Sequence, residues 1–460
     1  SKKELLKGIS LLMGEENSTV VSGNEAADFA GEGTAANPYK IQNVEDLKKL
    51  AQKVNGGKAY ANTYFQLTAN IDLKNEEWTP IGKSGLPFQG TFDGDGYQIA
   101  KLKITGGSYA GLFGYTKGAD ANAVAVIQNC NVTGEVNGYN HTGGIVGDAG
   151  INTKILNCSF QGNVEGNGEN RGGSVGDTSG GCEVSGCYVT GTVTGGSAVG
   201  GIAGWGVGTI KNCYALADVT AAGYNAGGIA GYYCSNFTIE NCYYSGNVSA
   251  SKCAGGIAGS SYGRLSYTYA TGSVKTNKTN QYAGGICGDI VSGELTHSLA
   301  LNSEVTANGA NAHRIASNSF PPDPPSDLLP VLDANYARPA MLLNNGSDSG
   351  STTVTSPDGT SLDGADTWPA PATTVTSGTL GSPVISVAQP DLDAADYLVN
   401  RPLLHVTQPA EGGTLAVYLA DPANPTAPAP GTPTLTDGTN GSESIPVVPC
   451  TALWLTNIPK

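Results

Sequence analysis

A five-residue box returns along the chain at a near-constant step, and this recurrence limits the possible folds more than any other feature. It reads AGLFG from Ala110, GGIVG from Gly143, GGSVG from Gly172, GGIAG from Gly200, Gly227 and Gly255, and GGICG from Gly284. From Gly143 onward the steps are 29, 28, 27, 28 and 29 residues. A glycine-rich loop that cradles a phosphate occurs once, whereas self-similarity at a fixed period of roughly 20 to 50 residues marks stacked repeats.

The stretch after each box repeats as well: IQNCNVTGEV from Ile127, ILNCSFQGNV from Ile155, IKNCYALADV from Ile210 and IENCYYSGNV from Ile239, with VSGCYVTGTV and LSYTYATGSV as variants. Each unit is therefore a set of short β-type runs punctuated by Gly, Asn and Ser, too short and too glycine-rich for a helix. No unit can bury a core alone, so neighbouring units must stack.

Reading down the columns separates inside from outside. The second position after the Cys is Val132, Phe160, Val189, Ala215, Tyr244 and Ala270, and the sixth is Val136, Val164, Val193, Val219, Val248 and Val274. Both share the parity of the Cys column, Cys130, Cys158, Cys187, Cys213 and Cys242, so all three should face the core. The fourth box position is also small and apolar, from Val146 to Cys287. Stacking at this period predicts an all-β chain, a parallel β-helix or solenoid with rungs of roughly 28 residues. Stacked, co-directional cysteines lack the offset that a disulfide needs and read as buried reduced thiols. Cys182, Cys234, Cys253 and Cys450 fall outside that column and leave a bridge among them open.

The box followed by (I/V)-x-N-C-x-x-x-G-x-V resembles the GLUG repeat of bacterial cell-surface proteins. GEGTAANPYKIQNVEDLKKLAQKVN, YFQLTANIDL, EWTPIG and FQGTFDGDGYQIAKLKI are similar to the segment that precedes such repeats, and DANYARPAMLLNN with DGTSLDGAD resembles the closing strand. The likeness runs from about Gly31 to Asp366 and is interrupted by the proline-rich SFPPDPPSDLLP from Ser319. It implies adhesion or matrix contact on an elongated stalk, with no common catalytic residues.

Five regions follow from this pattern: an N-terminal arm over 1–32, a cap over 33–106 with one helix, the repeat solenoid over 107–366, a Pro/Thr-rich linker or extended strand over 367–404, and a small β domain over 405–460. Asn43 as N-cap, with Glu45 and Asp46 in the first turn, predicts a helix near Val44 to Val54 that shields the open solenoid edge. The stretch VTQPAEGGTLAVY resembles the start of an internalin-like B repeat, and the chain reads as truncated beyond it.

The chain has 460 residues, 66 of them glycine, with 14% charged residues and a net charge of −15. This acidic balance argues against nucleic acid or an anionic membrane surface as partner. No apolar run is long enough for a transmembrane segment. The start at Ser1 reads as a mature or trimmed form of a secreted bacterial protein, placed outside the cell or on its surface.

The position after the Cys column carries Tyr188, Tyr214, Tyr243 and Tyr269, with a parity that points outward. Such a ladder suits sugar rings or a protein anchor, while the plainer reading has the rings cover one another and stiffen the sheet. Asp93 and Asp95 in FDGDGY offer oxygens that could meet calcium, but the later ligands of a full calcium loop are missing, so the turn reads as structural and no cofactor is expected. His141, His297, His313 and His405 show no ligand spacing and read as ordinary polar residues. Glu135, Glu165, Glu183, Asp218 and Glu240 hold no common column, which argues against an enzyme.

The sequence thus favours an exported, adhesin-like binding protein whose solenoid displays a repetitive face to a host or matrix glycan or protein. A subunit that assembles with copies of itself into a filament or layer is the alternative. A polysaccharide-degrading β-helix or a phage fibre follows behind.

Overall fold

The computed structural model describes residues 27–309, 311–319, 329–333, 335–337 and 341–344, together with the backbone of short strands between 352 and 458. The repeats form a parallel β-solenoid. In the coil that begins at Thr142 the chain runs as Thr142–Gly143, Val146–Ala149, Thr153–Leu156 and Ser159–Glu165, and Glu169–Gly172 opens the next coil. Each strand pairs in parallel with its equivalent one coil on, so the box strands alone build a seven-stranded ladder.

Register keeps like residues over like. Val146, Val175, Ala203, Ala230, Ala258 and Cys287 are directly paired. Ile127, Ile155, Val184, Ile210, Ile239, Leu265 and Leu295 form a second column. The valines from Val136 to Val274 form a third, continued by Val305, and none is more than 1% exposed. A one-residue slip would turn every one of these columns to solvent.

The Asn before each Cys explains how the isoleucine and cysteine columns both face inward although three residues separate them. Asn129, Asn157, Asn212 and Asn241 have φ of 54°, 52°, 56° and 51°, and Gly186 fills the same place. This left-handed bend breaks the two-residue alternation, and Asn and Gly are the residues that adopt it at least strain. The cysteines beyond the bend are buried and free, and each Sγ donates to the carbonyl two residues back, at 3.3, 3.3, 3.5, 3.2 and 3.2 Å from Cys130 to Cys242. Burial pushes the Cys158 and Cys213 thiols well above the ordinary range. Cys182, Cys234 and Cys253 are free as well, while Cys450 lies outside the described residues.

The helix α1, Val44–Asn55, starts where expected: Asn43 accepts from the Asp46 backbone N–H at 2.9 Å, and Asp46 in turn accepts from the Gln42 N–H at 2.9 Å. Leu47, Leu50, Ala51 and Val54 join the core of the first coils. The helix-containing cap expected over 33–106 continues directly into the repeats. Its strands Tyr39–Ile41, Tyr64–Leu67 and Thr91–Asp93 lead in parallel register into Ala125–Gln128, so they are the first coils of the same ladder. At the other end Thr352–Val354 pairs antiparallel with Met341–Asn344. The strands from Leu403–Thr407 to Leu453–Ile458 pair antiparallel among themselves. Residues 1–26 of the arm, most of the linker over 367–404 and most of the proline-rich insertion lie outside the described residues.

Glycine sets how closely the coils approach. A Cβ on Gly162, at φ +149°, would lie 1.8 Å from the carbonyl oxygen of Gly134 in the coil before. At the box glycine Gly228 it would lie 2.1 Å from the Gly256 oxygen and 2.1 Å from the Tyr244 ring. The box is a packing device, and its backbone is already committed to neighbouring coils. We expect Gly162→Ala to lower stability by ~2 kcal/mol or more in thermal unfolding, because backbone must move to admit the methyl group. A melt within ~0.5 kcal/mol of wild type would contradict that close approach.

Candidate functional site

The tyrosine ladder exists as a stack. Tyr188, Tyr214, Tyr243 and Tyr269 pair in register, with ring centroids 5.0, 4.8 and 5.0 Å apart and planes within 5° of parallel. Tyr188, Tyr214 and Tyr243 are half-buried. Tyr269 keeps the direction of the stack but is 1% exposed: Tyr243 covers one face, and the coil carrying Leu299 continues past the other. Between Tyr188 and Tyr269 every facing pair of ring faces is closed, so for Tyr214 and Tyr243 what remains is edges and hydroxyls.

At the turn in FDGDGY, Asp93 uses both carboxylate oxygens inside the protein. Oδ1 accepts from the Asp95 N–H at 2.7 Å and from Asn129 at 3.1 Å, and Oδ2 accepts from Gln128 at 3.0 Å. Asp95 takes φ 49°, the left-handed position of the turn. Among the described residues, no third acidic or histidine ligand converges on Asp93 and Asp95.

A different place gathers reactive side chains. The residue after each box forms an outward column in register: Tyr115, Asp148, Asp177, Trp205, Tyr232, Ser260 and Asp289. Two residues before the box, His141 sits at φ 53° and turns its ring toward this column. Its Nδ1 is hydrogen-bonded to Asp177 Oδ2 in the next coil and lies 4.0 Å from Asp148 Oδ2 in its own. Asn170 donates to the other Asp177 oxygen at 2.7 Å, and the Tyr109 ring stacks on the imidazole at 4.8 Å. One nitrogen and two carboxylate oxygens, all metal-ligating types, thus lie within 4.8 Å of one another. Beside them is a cavity of ≈ 380 Å³ lined among others by Gln89, Tyr109, Tyr115, Lys117 and Asp148.

Two carboxylates on successive coils with little solvent resist ionisation. Burial raises Asp148 to about 6, helped by the Asp177 charge. Burial also raises Asp177, against the pull of His141. His141 is raised chiefly by its hydrogen bond to Asp177. Burial lifts the Tyr115 phenol, with Asp148 adding to it.

The sequence reading missed this group. His141 has no ligand partner at a short spacing because both of its partners come from packing, and Asp177 belongs to the following coil. Glu135, Glu165, Glu183, Asp218 and Glu240 lie on the strands either side of the Cys, whereas Asp148 and Asp177 hold one column beside the box. Parity gave no signal here, since Asp148 and Asp177 lie two residues after the core-facing Val146 and Val175 and strict alternation would turn them inward.

Asp148, Asp177 and His141 all bind protons more tightly in the folded chain than when unfolded. Each therefore contributes stability that is present at low pH and lost as pH rises, for Asp148 through about 6 and for His141 above its ordinary 6.5. In buffer free of divalent cations, stability should fall between about pH 5 and pH 8, and Asp148→Asn should recover on the order of 2 kcal/mol at pH 8. Chemical unfolding across that range checks this; identical pH profiles for the two proteins would contradict it.

No family model matches the chain. It is 30% identical to halomucin of Haloquadratum walsbyi over 169 residues, which span 29% of this chain and 2% of halomucin. It is 32% identical over 131 residues to a Gly-rich membrane protein of Evansella cellulosilytica, spanning 27% of this chain and 13% of that one. The chain thus matches only a small part of the length of either relative. A crystal structure from Bacteroides ovatus described as an immunoglobulin A1 protease aligns over 72% of this chain and 83% of its own, at 23% identity and a TM-score of 0.35, too low for an argument. Among the described residues no helix is long and apolar enough to cross a membrane. The chain is a β-solenoid repeat protein distantly similar to halomucin and to a Gly-rich membrane protein.

Proposed function

We propose that this is a secreted, surface-displayed binding protein of the adhesin type, non-catalytic, whose stiff solenoid presents a glycan-binding notch beside the box column. The observation that carries this reading is the ≈ 380 Å³ cavity lined by Tyr109, Tyr115, Gln89, Lys117 and Asp148. Tyr109 and Tyr115 meet edge to face, 6.1 Å apart at 75°, rather than in a closed stack. Aromatic surface beside an amide, an ammonium and a carboxylate suits a ring with apolar C–H faces and a rim of hydroxyls. Further along the same column, Trp205 is 37% exposed and Tyr232 packs at a tilt against Tyr262. The resemblance to GLUG repeats, the likeness to halomucin and the glycine-rich acidic composition support display outside the cell.

Glycan-array and mucin binding of three proteins tests this: wild type, Tyr109→Ser with Tyr115→Ser, and Tyr188→Ser with Tyr214→Ser and Tyr243→Ser. Each must first melt cooperatively. The first variant should lose binding by tenfold or more, and the second should keep it. Unchanged binding by the first variant, or none by wild type, contradicts the reading; particle size that grows with concentration would then favour the filament subunit.

A further inference from the structure

We propose that His141, Asp148 and Asp177 bind one divalent transition-metal ion between two adjacent coils, with open coordination positions toward the neighbouring cavity. The donors converge without help from the ion: His141 Nδ1 and one oxygen from each carboxylate lie within 4.8 Å of one another. Donors bonded to one ion at about 2.0–2.2 Å stand roughly 3 to 3.5 Å apart, depending on whether the geometry is octahedral or tetrahedral. The 4.0 Å separation of His141 and Asp148 would close, and the tighter contact of His141 with Asp177 would open, by small side-chain rotations.

The charge arrangement calls for a cation. Asp148 and Asp177 are directly paired across parallel strands, where like charges destabilise a sheet. Among the described residues no lysine or arginine forms an ion pair with either carboxylate, and both face His141. A bound ion would replace that repulsion with two bonds.

The surroundings hold the donors as outer partners hold metal ligands. Tyr109 stacks on the imidazole and sets its plane, and Asn170 occupies Asp177 Oδ1, leaving Oδ2 for the shared centre. Asp148 also lines the ≈ 380 Å³ cavity, which supplies an entry path and room for water or a ligand oxygen on the ion. The donor set selects the metal. One imidazole with two carboxylates suits zinc, manganese, cobalt or nickel, whereas calcium takes six to eight oxygens. Among the described residues the grouping occurs once: Asn170 stands at the histidine's place in the next coil, and Ala198 and Trp205 take the places of the histidine and the acid in the one after. His141 and Asp148 come from one coil and Asp177 from the next, so the ion would staple the two. Asp148 and Tyr109 serve both places, but ion uptake is measured without any glycan, so this proposal and the glycan reading fail separately.

The test uses the full chain, tag removed and stripped with chelator, titrated calorimetrically with zinc chloride and followed with cobalt(II) in the visible. We expect close to one ion per chain, a higher melting temperature with zinc, and no such response to calcium. His141→Ala and Asp177→Asn should each weaken zinc binding at least tenfold and remove the rise in melting temperature. Asp289→Asn, in the same column but far along the solenoid, should change neither. If His141→Ala fails to melt cooperatively, Asp148→Asn, which keeps the side-chain shape, decides in its place. No saturable binding by wild type, or binding unaltered in these variants, would overturn the proposal.

Discussion

Every feature of this molecule depends on parallel coils that stack in register at sheet spacing, about 4.8 Å apart. That spacing admits no Cβ where Gly162 passes the Gly134 carbonyl or where the box glycine Gly228 meets Gly256. It also requires that whatever one coil points inward, the next points inward at the same place. The valine, isoleucine and cysteine columns are the result, and they build one continuous, narrow core.

The same rule acts on the outside, with different consequences for different residues. Identical neutral rings satisfy one another, so Tyr188, Tyr214 and Tyr243 close into a stack that occupies most of its own binding area. Stacked carboxylates do not. Asp148 over Asp177 concentrates charge in a half-buried notch, and His141, Asn170 and Tyr109 gather around it. Chemistry in such a solenoid arises where an outward column departs from uniformity, and here that is at the coils carrying Asp148 and Asp177.

Much of the architecture was legible because it is encoded locally or by period. The box step gave the rung, the parity of Val136 and its equivalents gave the inside, and Asn43 with Asp46 gave the helix start. The left-handed Asn bend was not read, although NC recurs at a fixed place, because alternation alone does not announce a break in itself. The separation of a cap from the solenoid was drawn at the first box, whereas the ladder extends to Tyr39 through strands whose sequences lack the box. Tyr269 shows the limit of parity: it sets direction but not what lies alongside. The His141 group escaped because its members are joined by stacking across 29-residue steps, a distance at which spacing motifs say nothing.

The register itself is the central claim, and thiol accessibility tests it most directly. A shift of one residue would carry Cys130, Cys158, Cys187, Cys213 and Cys242 together from the core to solvent. Mass-resolved alkylation without reductant should leave these five unmodified in the native protein and modify all five after unfolding, with the partly exposed Cys234 reacting ahead of them. Rapid native labelling of the five as a group would contradict the inward column, and thiols still blocked after unfolding would contradict their reduced state.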